Sequence, residues 1–205
     1  MHNAHRIRRS ASVNGSAKRE RIIDAACSLF ARKDFHTVSM DEVAYRAAIA
    51  KGTLYNYFQS KEDLYYSIIK TKLQFLLDAL RHLPGHQKEP ARELRAFVNL
   101  LSLLLLKQPD FFVLRRKGEN RESRQVFDDC RVIEKQMKML LRDILSRGMR
   151  SGAFRKMDCS AAADAILGVI DAFVDRTLHL KLTGEQRRSE QDKMYAIIIN
   201  GIGDS

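Results

Sequence analysis

Between Lys51 and Phe58 the chain reads Lys-Gly-Thr-Leu-Tyr-Asn-Tyr-Phe. Leu54 and Phe58 stand four apart, so on a helix they share one face and tie it to a core, leaving Lys51, Thr53, Tyr55, Asn56 and Tyr57 on the remaining surface. Those surface residues carry hydrogen-bond donors. A helix face that meets only water favours Glu and Lys; Gly52 costs about 1 kcal/mol relative to Ala there, and an exposed Tyr gains nothing for folding. An interface accounts for the exception. Other groupings of reactive side chains are weaker. His82 and His86 are separated by Pro84-Gly85, which breaks the helix needed to bring both rings to one metal. Asp171, Asp175 and His179 share a helical face, but with no further ligand at suitable spacing they read as a surface ion-pair group. Gly148 to Gly152 lacks the pattern of a phosphate-binding loop. No catalytic residue, metal ligand or cofactor is expected.

The elements that position this segment are helical. Ile22, Ile23, Ala25, Ala26, Leu29 and Phe30 recur at intervals of three and four, predicting a helix over 18–32. Ser39-Met40-Asp41-Glu42 reads as a capping box, the Ser39 hydroxyl serving one orphan amide and Glu42 reaching back to another, ahead of a short helix over 40–47. A third helix over 51–57 follows, and Ser60 caps a fourth over 61–80. Helix, short capped helix, tight turn and short helix within 18–58 is a helix-turn-helix outline, whose last helix fits the major groove of duplex DNA. Downstream, Pro90 and Pro109 stand at helix starts, predicting helices over 90–107 and 109–118. Val126, Cys130, Ile133, Met137, Leu140, Ile144 and Met149 predict a long amphipathic helix over 123–151. Asp158 caps a helix over 159–180, and the last covers 185–200. With no alternating strand pattern, the fold class is all-α: a three-helix helix-turn-helix domain followed by six helices.

Composition agrees with a globular protein: 205 residues, 45% hydrophobic and 30% charged, with 36 Lys plus Arg against 25 Asp plus Glu for a net charge of +11. Residues 1–21 hold six basic side chains (Arg6, Arg8, Arg9, Lys18, Arg19, Arg21) and one acid, Glu20, so five of the eleven net charges lie there. Residues 1–17 are therefore expected to form a disordered basic arm, suited to a polyanion because each phosphate it neutralises releases counterions. Cys27, Cys130 and Cys159 match neither a disulfide framework nor a metal spacing, which fits a reducing cytoplasm. Arg8-Arg9 is followed by a polar stretch, unlike an export signal, and the longest apolar run, Leu100 to Leu106, is interrupted by Ser102. A cytoplasmic protein without membrane insertion is expected. A basic protein adhering to anionic membrane is disfavoured because 18–32 carries Asp24 on its polar side and few bulky apolar groups.

From Arg21 to Leu64 the stretches I-I-D-A-A-C-S-L-F-A-R-K, S-M-D-E-V-A and K-G-T-L-Y-N-Y-F-Q-S-K-E-D-L resemble the TetR family of transcriptional regulators. The resemblance covers about a quarter of the chain. It implies that Lys51, Gly52, Thr53, Tyr55, Asn56 and Tyr57 face DNA, that Ser39 lies by a phosphate at a helix N-terminus and that Lys61 meets the DNA backbone. The chemistry agrees: hydroxyls, lysine and helix-end amides donate to phosphates, while Lys51, Thr53 and Asn56 can reach base edges. Three positions depart from the family pattern. Asp34 stands where a glycine usually ends the first helix, Ala48 where the turn glycine usually sits, and Ala50 where a serine often caps the groove-facing helix. A positive φ at Ala48 costs roughly 1–2 kcal/mol.

For the remainder, 65–205, the resemblance implies a domain that binds a small effector and dimerises through its last two helices; 18–64 is the DNA-binding domain. Ile166, Leu167, Val169, Ile170, Phe173, Val174 and Leu178, with Tyr195, Ile197, Ile198, Ile199 and Ile202, are more apolar surface than one copy is expected to bury, which predicts a homodimer. Leu100 to Leu106 with Phe97, Phe111, Phe112, Tyr65 and Tyr66 would suit a lipophilic effector, and Arg115, Arg116 and Lys117 an acidic group on it. Helical Leu and Phe stripes are ordinarily core, and no pocket residue is assigned. The expectation is a dimeric, ligand-responsive repressor that binds double-stranded DNA at a near-palindromic operator. The alternative is a helical small-molecule-binding protein or enzyme with an incidental basic arm.

Overall fold

The structure is a computed structural model that describes residues 2–83, 89–118 and 128–203, with side chains from residue 15 onward. Among these residues the chain forms α1 (His2–Arg32), α2 (Met40–Arg46), α3 (Lys51–Tyr57), α4 (Lys61–Arg81), α5 (Pro90–Leu106), α6 (Pro109–Gly118), α7 (Asp128–Arg150), α8 (Cys159–His179) and α9 (Gly184–Ile202). The all-α class predicted from periodicity is what forms, and α2 to α6, α8 and α9 fall within a residue or two of their predicted bounds. The predicted start of α7 at 123, its Val126, Pro84-Gly85 and His86 lie outside the described residues. α1 is longer than predicted. It begins at His2, so the segment expected to be a disordered arm is helical; it holds no Pro and a single Gly15, and a nucleated helix extends at one hydrogen bond per residue. The side chains of Arg6, Arg8 and Arg9 lie outside those described.

Packing divides the chain into two units, Met1–Lys72 with Asp110–Phe127, and Leu73–Pro109 with Asp128–Ser205. The division does not fall at one point after residue 64, because α6 packs with the end of α1 and the start of α4. Phe111, Phe112 and Leu114 of α6 are buried, and the Tyr65 hydroxyl donates to Leu114 O (3.4 Å). Lys117 Nζ donates to Ala31 O (2.7 Å) and Phe30 O (3.4 Å), satisfying carbonyls left open at the end of α1. Lys117 is thus engaged within the chain, while Arg115 and Arg116 lie 6.0 and 5.8 Å from the Phe112 ring. The core of this unit joins the buried stripe Ile22, Ile23, Ala26, Leu29 and Phe30 of α1 to Val43 and Ala44 of α2, Leu54 of α3 and Leu64 and Ile68 of α4. Phe30, Phe35 and Tyr65 meet in stacked and edge-on contacts of 5.4–5.5 Å. Burial pushes the Cys27 thiol up to about 12.

The second unit is built from the end of α4, from Leu73 on, with α5, α7, α8 and α9. Phe97, Leu101 and Leu105 of α5 bury against the stripe Ile133, Met137, Leu141 and Ile144 of α7 and Ile166, Ile170 and Phe173 of α8. The aromatic and leucine set predicted for an effector is therefore split: Phe97, Leu101 and Leu105 belong to this unit, and Tyr65, Phe111 and Phe112 to the other. Much of the apolar surface predicted to await a partner is internal, with Ile166, Ile170, Phe173, Val174, Ile198 and Ile202 all buried within one copy. Among its small residues α8 leaves Ala161, Ala165, Gly168 and Ala172 outward, and Ile197 on α9 is 64% exposed. A groove of about 350 Å³ runs along this face past Val169 and Ile197. After α7, Gly152 turns the chain at φ 76° and Phe154 folds back against Gly148. A Cβ at Gly148 would lie 2.0 Å from Cδ2 of the Phe154 ring, which is itself buried. Gly148→Ala is expected to destabilise by about 1–3 kcal/mol through overpacking, read as a lower urea midpoint at unchanged slope.

Candidate nucleic-acid interface

Each end of the helix-turn-helix is fixed by a local hydrogen bond that the sequence specifies. Ser39 is the N-cap of α2, with φ −101° and ψ 154°, and its Oγ accepts from the Glu42 amide at 3.1 Å. Only that half of the predicted capping box is present. The Glu42 carboxylate turns to Lys33 Nζ at 2.6 Å, because an ammonium is a stronger partner than an amide. At α4, Ser60 Oγ accepts from the Asp63 amide (3.1 Å), and Asp63 Oδ2 reaches back to accept from the Gln59 amide (2.9 Å), one residue before the cap.

The turn between α2 and α3 carries strain. Ala48 takes φ 51°, the left-handed region, at a cost of roughly 1–2 kcal/mol for a residue with a Cβ. Arg21 Nη2 of α1 holds it, donating to Ala47 O (2.7 Å) and Ala48 O (3.2 Å). Ala50 then caps α3 with no side-chain bond, in line with its lack of a hydroxyl. Ala48→Gly is expected to raise stability by about 1 kcal/mol, seen as a higher urea midpoint.

On α3, Leu54 and Phe58 are buried at 0% and 1%, and Lys51, Gly52, Tyr55 and Asn56 are exposed, as the four-residue spacing requires. Thr53 and Tyr57 are half-buried, and the Tyr57 hydroxyl lies toward α1, 3.8 Å from where a Gly15 Cβ would stand. A Cβ added to Gly52 would meet nothing within 4 Å, so no packing in this chain requires glycine there. Lys51 Nζ is paired with the Asp41 carboxylate at 2.7 and 3.0 Å, and that hydrogen bond raises the Lys51 ammonium above its ordinary pKa.

Lys61 is turned inward. Its Nζ donates to Phe35 O (2.8 Å), Val38 O (3.0 Å) and His36 O (3.3 Å), and it lies 4.6 Å above the Phe35 ring. An ammonium has three protons, so these carbonyls saturate it and it clamps the loop leading to Ser39. Sequence reasoning did not single out Arg21, Asp41 or Tyr45 of α2, the last 88% exposed. The signal was available: Asp41 and Tyr45 are four apart, hence on one face, and that face meets Lys51.

His82 Nδ1 lies 2.6 Å from Asp78 O, and Asp175 and His179 are exposed while Asp171 is half-buried on α8. Among the described residues no group of three or more His, Cys, Asp or Glu is placed to hold a metal, and no single helix is long and apolar enough to cross a membrane.

A short helix anchored from behind by Leu54 and Phe58, with hydroxyl, amide and ammonium donors outward and a glycine open to close approach, defines a helix-turn-helix protein that docks on nucleic acid. Residues 22–68 match the family described as "Bacterial regulatory proteins, tetR family". The fatty acid metabolism regulator protein of Bacillus subtilis is 30% identical over 155 residues, covering 75% of this chain and 79% of that one. The HTH-type transcriptional repressor KstR2 of Mycolicibacterium smegmatis is 21% identical over 141 residues, 68% of this chain and 69% of that one. The solved structure of the transcriptional regulator FadR from Bacillus subtilis, in complex with stearoyl-CoA, superposes with a TM-score of 0.76 at 22% identity, covering 89% of this chain and 98% of that one. The chain belongs to the TetR family: it is a DNA-binding transcriptional regulator.

Proposed function

We propose that the chain acts as a cytoplasmic homodimeric repressor, each copy laying α3 in the major groove of a near-palindromic operator and releasing it when a lipophilic effector binds. In this reading residues 18–64 are the DNA-binding domain and 65–205 the effector-binding and dimerisation domain. Ser39, Lys51, Gly52, Thr53, Tyr55, Asn56, Tyr57 and Lys61 make up the DNA face, Lys61 through the loop it clamps and the charge it places beside Ser39. The observation that carries the proposal is Gly52. In a helix it costs about 1 kcal/mol, yet a side chain there would meet nothing in this chain, so the space is kept for an outside surface. A phosphate backbone needs that approach.

The outward Ala161, Ala165, Gly168 and Ala172 of α8 let a second copy's helix come close, with Ile197 as an apolar anchor. For the effector, the stearoyl-CoA in the Bacillus subtilis FadR structure supports a long acyl chain. Selection of bound fragments from random duplexes of about 30 base pairs tests the reading, since two half-sites about 10 base pairs apart fit within them. The expected result is a near-palindrome released by stearoyl-CoA; a pool that stays random after repeated rounds contradicts it.

A further inference from the structure

The pair between Asp41 and Lys51 is not explained by stability. Its side chains are 64% and 59% exposed, and ion pairs so open to water contribute little to folding. Nor does a carboxylate suit a surface that meets phosphates, which it repels. Asp41 nevertheless stands on α2 where its carboxylate reaches the first residue of α3, with both oxygens within 3.0 Å of Nζ. The pair joins a cationic donor to an anionic acceptor at the leading end of the groove-facing helix.

Resting on the DNA-binding reading above, we infer that Asp41 is a specificity-determining residue, which withholds Lys51 from phosphates of arbitrary sequence and, together with Lys51, reads one G·C pair in each half-site. The chemistry is complementary. Guanine presents O6 and N7 as acceptors in the major groove, suited to the lysine, and cytosine presents its N4 amino group as a donor, suited to the carboxylate. Opposite a G·C pair both partners leave each other for a base, and each keeps a hydrogen-bond partner. On a phosphate only Lys51 gains, and Asp41 is left facing like charge. The pair thereby subtracts from non-specific attraction more than from specific binding, which is how a repulsive element sharpens discrimination. The raised Lys51 pKa fits an ammonium held by its carboxylate partner and fully charged when DNA arrives.

The test compares the full chain with Asp41→Asn, Asp41→Glu and Lys51→Gln on two probes: the duplex selected by the unaltered protein, and an alternating A·T duplex of equal length. Because Asp41 is exposed, thermal unfolding of the variants is expected to stay near that of the unaltered protein, and Asp41→Glu, which keeps the charge, serves as the control for α2. Asp41→Asn is expected to bind the A·T duplex several-fold more tightly, with a salt slope steeper by about one per copy. It should also select sites that have lost one symmetric G·C pair. Replacing that pair by A·T should cost the unaltered protein roughly tenfold and both Asp41→Asn and Lys51→Gln little. The inference is overturned if Asp41→Asn keeps the same selected sequence and the same ratio of specific to non-specific affinity. An unaltered protein that binds no duplex would instead remove the DNA-binding reading itself, so the two failures are distinguishable.

Discussion

Replacing Tyr55 by alanine is expected to lower affinity for the selected operator by about tenfold per copy, hence about a hundredfold for a dimer, and to leave folding stability within about 0.5 kcal/mol. Stability and affinity respond to different parts of the side chain. Stability is spared because Tyr55 is 44% exposed and α3 is anchored by its neighbours Leu54 and Phe58, which the substitution leaves in place. Affinity falls because the phenol hydroxyl is the proposed phosphate donor, on the same exposed face as the open Gly52. Anisotropy titration of a labelled duplex, paired with a urea melt, separates the two. An alanine variant that binds as well as the unaltered protein contradicts the proposed docking.

Glu93→Ala is expected to destabilise the second unit by about 3 kcal/mol. Glu93 is buried on α5 and accepts from both Nη1 (2.7 Å) and Nη2 (2.8 Å) of Arg147 on α7, whose Nε is bound to Asp143 (2.9 Å). The hydrogen bonds to Glu93 hold the guanidinium well above its already high pKa. Removing the carboxylate leaves a cation at 23% exposure with only Asp143, itself 63% exposed, as partner. At roughly 2–4 °C per kcal/mol for a chain of this length, the melting temperature should fall by about 6–12 °C. Glu93→Gln, which keeps one acceptor, should fall less. A loss under about 1 kcal/mol for Glu93→Ala would mean that the α5–α7 pair is not what holds these helices in register.

The helix-turn-helix was legible because its signals are local. Ser39 and Ser60 announce helix starts by their own hydroxyls, and the four-residue step from Leu54 to Phe58 fixes which side of α3 is buried. What was not legible depended on partners distant in sequence. Lys61 reads as an outward cation, but carbonyls some twenty-five residues earlier turn it inward. Glu42 completes a capping box on paper, yet Lys33 is nearby in the fold and takes its carboxylate. The apolar residues of α8 are too many for one stripe, and only the arrangement of α5, α7 and α9 decides that Ile166, Ile170 and Phe173 are internal while the alanines face out. Likewise α6 sits among downstream helices in sequence and packs with α1 instead, through Phe111, Phe112 and Lys117. At Ala48 the family pattern located the turn, and the backbone at φ 51° gives the cost of lacking glycine there.

The most direct measurement is the affinity of the full chain for its selected duplex as salt is raised from about 50 to 200 mM. If two copies of α3 and their flanking caps meet six to ten phosphates, affinity falls roughly a thousandfold or more across that range, with a slope that flattens in Tyr55→Ala. An affinity that does not change with salt, or a slope identical in both proteins, would contradict an interface centred on α3.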